Sequence, residues 1–417
     1  MVKDQSGAAP FGAAAQSGWS GVLPTPFPRT MGPQVGTYLR EVAESGLSSN
    51  MTSRFENAFA SEMGMSHCVA TPGCTPALAI LAAALDFEPG DEVIVSSITD
   101  YGTLQGLVRE GLVPVFADAA PNSFNIGAEQ IEACVTDRTR AVLVVHLTGL
   151  PCEMDPILEL ADRKGLIVLE DACQAVFSMY RGRLAGSMGL ASGFSFDSEK
   201  TLGSDMGGCV MTNDASLAER LRFIGHSRGA AMRPGFGRLH TEPGYAHRMP
   251  LCTAAVTLAQ LEIIRPQVAQ RDRMARLLNR LLGEIPGIEV HPISDRVGVW
   301  SCWMYGFCLR PGAFTCTADE FAAEISREGI PGAGTGRYYL MPEACTFLRD
   351  AVQRGRYPYL SPFTDRKPDY SAASCPNAAS FLDRWVRWTS FCEKYEEHHC
   401  IRAAEIVAAT ADRYRAG

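Results

Sequence analysis

Phe194-Ser195-Phe196-Asp197-Ser198-Glu199-Lys200-Thr201-Leu202, followed by Gly207-Gly208 and the apolar run Cys209-Val210-Met211-Thr212, decides how this chain is read. The order is a short strand, a polar loop with one lysine, a tight glycine turn and a second strand. Such a loop presents the amine of Lys200 at a strand edge. An amine held against apolar neighbours loses hydration of its charged form, its pKa falls, and the free base can condense with an aldehyde. The plain alternative is a solvated lysine in a hairpin loop, and the upstream sequence decides between the two.

Upstream, apolar strands at Glu92–Val95, Val113–Ala117, Ala141–Leu147 and Leu166–Leu169 alternate with helix-compatible stretches at Leu104–Glu110, Ala128–Val135 and Met154–Lys164. Short Val/Ile/Leu strands separated by helices predict a mainly parallel sheet covered on both faces. Ligands on such sheets sit beyond the carboxyl ends of the strands. That rule singles out Glu170 and Asp171, which end Leu166-Ile167-Val168-Leu169. A carboxylate there either caps a helix or holds a ring nitrogen protonated. Cys68-Val69-Ala70-Thr71-Pro72-Gly73-Cys74-Thr75-Pro76-Ala77-Leu78 reads as strand, turn and helix start, with Thr75 as N-cap and Pro76 as first helical residue. The apolar helix that follows points free N–H groups and its positive dipole end at one spot. Phosphate binding and simple capping both satisfy that geometry. Earlier still, Phe55 and Phe59 stand four apart on one helical face and read as core.

Length and composition narrow the class. The chain has 417 residues, 46% hydrophobic and 20% charged, with a net charge of −8, which disfavours a nucleic-acid or anionic-membrane partner. The sequence has no bilayer-spanning apolar run and no basic region followed by an apolar block at its start, so a cytoplasmic location is expected. Fourteen scattered cysteines, none in a C-x-x-C pair, read as free thiols rather than a disulfide framework. His398-His399-Cys400 reads as the start of the C-terminal helix, and no metal is expected. Residues 1–25, rich in Ala, Gly and Ser, are expected to form a mobile tail, 26–265 a large α/β domain and 266–417 a smaller α+β domain. His226–His240 reads as an exposed loop and Pro331–Ala379 as a long irregular stretch. Thr317-Ala318-Asp319-Glu320 is a capping box opening a helix.

A phosphate-binding helix start, an acid at a strand end and a strand-edge lysine, in that order, match the needs of pyridoxal 5'-phosphate. The phosphate anchors the cofactor, the carboxylate keeps the pyridine nitrogen protonated, and the lysine holds the aldehyde. Glu170-Asp171-Ala172-Cys173-Gln174-Ala175, Tyr180-Arg181-Gly182-Arg183, Gly186-Ser187-Met188-Gly189 and Phe194-Ser195-Phe196 with Lys200 and Gly207-Gly208 together resemble the DegT/StrS-type keto-sugar aminotransferases. The resemblance runs from about Pro26 to Leu261 and fades through the remainder. It implies the fold-type I pyridoxal-phosphate architecture, α/β with a mainly parallel central sheet. It also implies amino transfer from glutamate or glutamine to a keto-sugar or keto-cyclitol, in amino-sugar or aminoglycoside-like natural-product biosynthesis.

The same resemblance implies Lys200 as the aldehyde-holding lysine and proton shuttle, and Asp171 as the partner of the ring nitrogen. It implies Gln174 beside the 3-oxygen and Cys74, Thr75 and Ser195 around the phosphate. It further implies a homodimer in which Gly244-Tyr245-Ala246-His247-Arg248 of one subunit reaches the other's site, with His247 or Arg248 replacing the usual asparagine at Ala246. Asp100 stands where the family places an aromatic ring over the cofactor, leaving Tyr101 for that role, and Tyr338 is a candidate substrate contact. Competing readings on the same fold are a sugar dehydratase, epimerase or other lyase, and a non-catalytic regulator that retains the cofactor.

Overall fold

The structure, a computed structural model, describes residues 21–416. The expected N-terminal tail lies outside the described residues up to position 20. Of its remainder, Leu23 is already packed into the core.

The first half of the chain lays down β1 (His67–Thr71), β2 (Glu92–Ser96), β3 (Val113–Ala117), β4 (Thr139–Val145), β5 (Ile167–Asp171), β6 (Met179–Tyr180), β7 (Arg183–Leu184), β8 (Ala191–Ser195) and β9 (Gly208–Thr212). Seven of them form one sheet in the order β1-β9-β8-β5-β4-β2-β3. Neighbours from β8 to β3 run parallel, and β9 alone is reversed between β1 and β8. The strands are short Val/Ile/Leu runs because both faces are covered. Val93, Ile94, Val95, Val142 and Val144 are all fully buried.

Of the helices that cover this sheet, α1 (Val35–Glu44), α2 (Met51–Met63) and α3 (Cys74–Ala84) matter most here. Helix α2 docks through Phe55 and Phe59, whose rings meet Phe194 and Phe196 edge-on at 5.2 to 5.3 Å. Each such pair contributes about 0.5–1.5 kcal/mol beyond its burial. These rings fix β8, and therefore the start of the lysine loop. Helix α3 has apolar residues on nearly every side because it is enclosed. The helix Gln105–Arg109 packs so closely that a Cβ at Gly106 would lie 2.6 Å from the Ala79 Cα.

Beyond the 20-residue helix Ile264–Gly283 the architecture changes. After β10 (Ala230–Arg233) and β11 (Gly237–His240), the chain forms β12 (Ile288–Val290), β13 (Val297–Val299), β14 (Tyr305–Leu309), β15 (Ala333–Thr335) and β16 (Trp385–Trp388). An antiparallel sheet in the order β12-β14-β16-β15 is backed by helices Ala318–Arg327 and Glu397–Tyr414. Thr317 and Glu320 make the expected capping box. A ribbon in the order β13-β6-β7 stitches this part to the first.

Three local expectations give way. The His226–His240 loop contains the β10–β11 hairpin. The irregular stretch 331–379 holds β15 and the helices Met341–Ala344 and Thr346–Gln353. The strand expected over Val299–Leu309 is broken at 300–304, because the backbone N–H of Trp300 goes to the Asp272 carboxylate and that of Trp303 to the Thr148 carbonyl instead of to a neighbouring strand. Among the described residues no helix is long and apolar enough to cross a membrane.

Candidate active site

A cavity of about 460 Å³ opens at the carboxyl edge of the sheet, lined by Cys74, Thr75, Thr103, Asp171, Gln174, Ser195, Lys200 and the aromatic residues Trp303, Tyr338 and Tyr339. Part of its wall is the entrance to α3. The helix begins at Cys74 behind an extended Gly73 that makes no side-chain cap, so Thr75 is not the N-cap. Pro76 has no N–H and the Ala77 N–H goes to the Gly73 carbonyl at 3.1 Å, so the amides left open in this turn are those of Cys74 and Thr75. The entrance rests directly on β9, where a Cβ at Gly208 would lie 2.4 Å from the Gly73 carbonyl carbon. Ser195, at the end of β8, receives the Asp197 N–H at 3.3 Å and keeps its own proton for another acceptor.

Asp171, which lines the cavity, is the second of two consecutive carboxylates that point to opposite sides of β5. Glu170 accepts the backbone N–H groups of Gly186, Met188 and Gly189 at 2.6 to 2.7 Å and faces His146 Nε2 at 2.9 Å. His146 Nδ1 accepts the Cys152 N–H, so the ring proton sits on Nε2 and is donated to Glu170. Burial alone would raise the Glu170 pKa, but His146 and these N–H groups hold it below the usual carboxylate value. Asp171 accepts the Thr103 hydroxyl at 2.7 Å and the Cys173 N–H at 3.1 Å. Thr99 in turn stands 2.6 Å from the Thr103 oxygen and supplies its proton there. Burial pushes the Asp171 pKa up, opposed by Thr103, the Cys173 amide, Lys200 and His146.

The lysine loop is gripped from outside the sheet. Arg29 donates to the carbonyls of Ser198 and Thr201 at 2.9 and 2.8 Å, and Trp303 Nε1 donates to the Glu199 carbonyl at 2.9 Å. The Lys200 Nζ lies 3.7 Å from the centroid of the Trp303 ring. Burial lowers the Lys200 pKa, while Asp171, Asp197, Asp100 and Glu199 favour its charged form. Trp303 is placed by Arg271, which is 1% exposed. That guanidinium donates to the carbonyls of Cys302, Trp303 and Phe391 and pairs with Glu393 at 2.7 Å.

Of the residues singled out in the sequence, the cavity brings together Lys200, Asp171, Gln174, Ser195, Cys74, Thr75 and Tyr338. Gln174 is oriented by the Thr148 N–H on its Oε1 at 2.6 Å, which leaves its NH₂ group for the cavity. Tyr101 does not line the cavity. Asp100 caps the short 3-10 turn Tyr101–Thr103 through the Gly102 N–H, and this turns the tyrosine outward onto Phe347, ring centroids 5.6 Å apart. His247 stacks on Tyr245 at 4.8 Å and Arg248 is exposed, both outside the cavity of their own chain.

The free-thiol expectation is corrected at two positions, since Cys74 and Cys173 form a disulfide. Their 99-residue separation hid the pair. The fold sets the α3 entrance against the turn after β5, over Gly193, where a Cβ would clash with Leu78 at 2.7 Å. Cys74 can therefore offer a phosphate its amide, not its thiol. Sequence reasoning missed Arg29, Thr99, Thr103, His146, Arg271 and Trp303. Only His146, in a buried apolar run, carried any local signal.

These residues fit pyridoxal phosphate. Open amides, two hydroxyls, a deep carboxylate lacking a full counter-charge and a poorly solvated amine all line one cavity. Comparison with known proteins agrees. The model of the DegT/DnrJ/EryC1/StrS aminotransferase family matches residues 31–385. GDP-perosamine synthase of Caulobacter vibrioides is 37% identical over 276 residues, 66% of this chain and 73% of that protein. The spore coat polysaccharide biosynthesis protein SpsC of Bacillus subtilis is 33% identical over 358 residues, 82% of this chain and 86% of its own. The crystal structure of DesV from S. venezuelae superposes with a TM-score of 0.75 at 28% identity, covering 91% of this chain and 95% of that one. A lysine and a buried carboxylate on one cavity, in this architecture and with these relatives, lead to one conclusion: the chain belongs to the DegT/DnrJ/EryC1/StrS aminotransferase family and is a pyridoxal-phosphate-dependent aminotransferase.

Proposed function

We propose that the chain moves an amino group from glutamate or glutamine to the ketone of a keto-sugar or keto-cyclitol, a step suited to building natural products that contain amino sugars. When bound, pyridoxal phosphate supplies an aldehyde that accepts the amine and a ring that takes up the electron pair released at the donor Cα. The amides of Cys74 and Thr75 and the hydroxyls of Thr75 and Ser195 bind its phosphate. Asp171, positioned by Thr103, keeps the ring nitrogen protonated, and the Gln174 NH₂ orients the ring from its 3-oxygen side. Lys200 holds the aldehyde at rest and carries a proton to and from the donor Cα during transfer, which needs the amine free near neutral pH. Its contact with the Trp303 ring is the single observation that carries this reading, because the aromatic face and the loss of water fix the amine over the cavity.

The outer wall suits a polyhydroxylated acceptor. Tyr338, Tyr339 and Trp303 offer flat faces to C–H groups, and Asp100 and Glu199 offer acceptors to hydroxyls. We place the working unit as a cytoplasmic homodimer in which Tyr338, His247 and Arg248 contact substrate or the neighbouring site. The exposed Met232 and Phe236 on the β10–β11 hairpin support a protein partner there. The test is a two-step reaction. Purified enzyme supplied with pyridoxal phosphate and mixed with glutamate or glutamine should release the corresponding keto acid, and the same enzyme, freed of donor, should then convert one member of a keto-sugar and keto-cyclitol panel to its amine. Failure to release a keto acid from either donor overturns the proposal.

A further inference from the structure

We propose that Cys74 and Cys173 form a reversible dithiol/disulfide couple in the floor of the cofactor cavity, open to thiol exchange only while the cavity is free of cofactor. The second half of this inference rests on the cavity being the pyridoxal-phosphate site. Most of the other cysteines are buried in the core, among them Cys68, Cys152, Cys209, Cys302, Cys392 and Cys400. Cys74 and Cys173 are the two that line the cavity, and each is partly exposed. Their Cα atoms are 6.6 Å apart, within the span a disulfide bridges without backbone movement. The sulfurs rest above Gly193 of β8, where a Cβ would lie 3.4 Å from the Cys74 Sγ. Both therefore form part of the cavity floor.

The surroundings also set the chemistry. Cys74 is the first residue of the 11-residue helix α3, whose dipole stabilises a thiolate. Asp171, with an oxygen within 4.8 Å of both sulfurs, works against that stabilisation. With a low-molecular-weight disulfide such as oxidised glutathione, the Cys74 thiolate attacks one sulfur and a glutathione thiolate leaves. The Cys173 thiolate then displaces the second glutathione from the mixed disulfide. Two protein thiols are oxidised to one disulfide, one glutathione disulfide is reduced to two thiols, and the two protons end on those thiols. Access comes through the cavity mouth, so an occupied cavity blocks both attack and reduction.

The experiment uses full-length enzyme, loaded with pyridoxal phosphate or stripped of it, reduced and then exposed to oxidised glutathione. Free thiols are trapped by alkylation and the digest is mapped by mass spectrometry, with cofactor binding followed separately by absorbance. The stripped enzyme should yield a peptide pair joining Cys74 to Cys173, released by dithiothreitol, and the loaded enzyme should yield it at least about tenfold more slowly. Cys173→Ala should stop at a mixed disulfide of Cys74 with glutathione. No joined pair from stripped enzyme, or none of the mixed disulfide in Cys173→Ala, overturns the couple. Equal rates in loaded and stripped enzyme overturn the shielding. Failure to bind pyridoxal phosphate overturns the proposed function and the shielding together, while the joined peptide in the same sample still decides the couple.

Discussion

The two working walls of the cavity are held in different ways. The Asp171 wall is an extension of the sheet. Its partners Thr99, Thr103, His146 and the Gly186–Gly189 turn all come from the segment that builds the parallel strands. The Lys200 wall is held from far along the chain, by Arg29 from 169 residues upstream of Ser198 and by Trp303 from 104 residues downstream of Glu199. The Asp171 carboxylate is thus enclosed in a buried, hydrogen-bonded frame. The Lys200 loop is instead secured through its backbone carbonyls, with the amine over the face of Trp303.

Four expectations test that contrast, from the largest effect to the smallest. Lys200→Ala should abolish covalent retention of the cofactor and lower amino transfer by about 10³-fold or more while the fold persists. Near-normal turnover in that variant refutes the assignment. Arg271→Met should lose about 3–5 kcal/mol in denaturant unfolding, because Glu393 is left buried without its partner and three carbonyls lose their donor. If Trp303 is placed by Arg271, its fluorescence should also become solvent-like, and an unchanged spectrum breaks that link.

Thr103→Val should weaken pyridoxal-phosphate binding about tenfold, since a hydrogen bond to a charged group is worth about 1.5–3 kcal/mol. Thr103→Ser should restore it. If both variants bind alike, the hydroxyl does not hold Asp171. The last expectation lies outside both walls. Burial pushes the His291 pKa down to about 3, with its ring stacked on Phe124 at 4.0 Å. Below pH 6.5 only the unfolded chain protonates this imidazole, so stability falls as pH drops and the loss levels off near pH 3. At pH 5.5 the expected loss is on the order of 1 kcal/mol. His291→Phe should remove that part of the pH dependence and leave cofactor affinity unchanged.

The same contrast explains what the sequence disclosed. The parallel sheet was legible because buried strands must be continuous apolar runs, and Asp171 and Lys200 stood out as polar residues at the ends of such runs. The Lys200 wall was legible only in its lysine. Arg29 sits in a proline-rich segment with no periodicity, and Trp303 sits in an apolar stretch that reads as one strand until Thr148 claims its backbone. Tyr101 was misplaced because an Asp100 side chain caps the following turn, a contact that rotates the tyrosine by geometry no spacing reveals. The cysteine pair was invisible for the same reason that it is informative, since only the finished fold brings residues 74 and 173 together.

One consequence follows from the neighbouring acids that end β5. Because consecutive strand residues face opposite ways, a single inserted or deleted residue in Ile167–Asp171 would exchange scaffold acid for working acid, sending one carboxylate into the Gly186–Gly189 turn and the other toward the ligand. A change of length in this strand therefore displaces both acids at once, whereas a substitution alters one position, and redesign of the enzyme should leave its phase untouched.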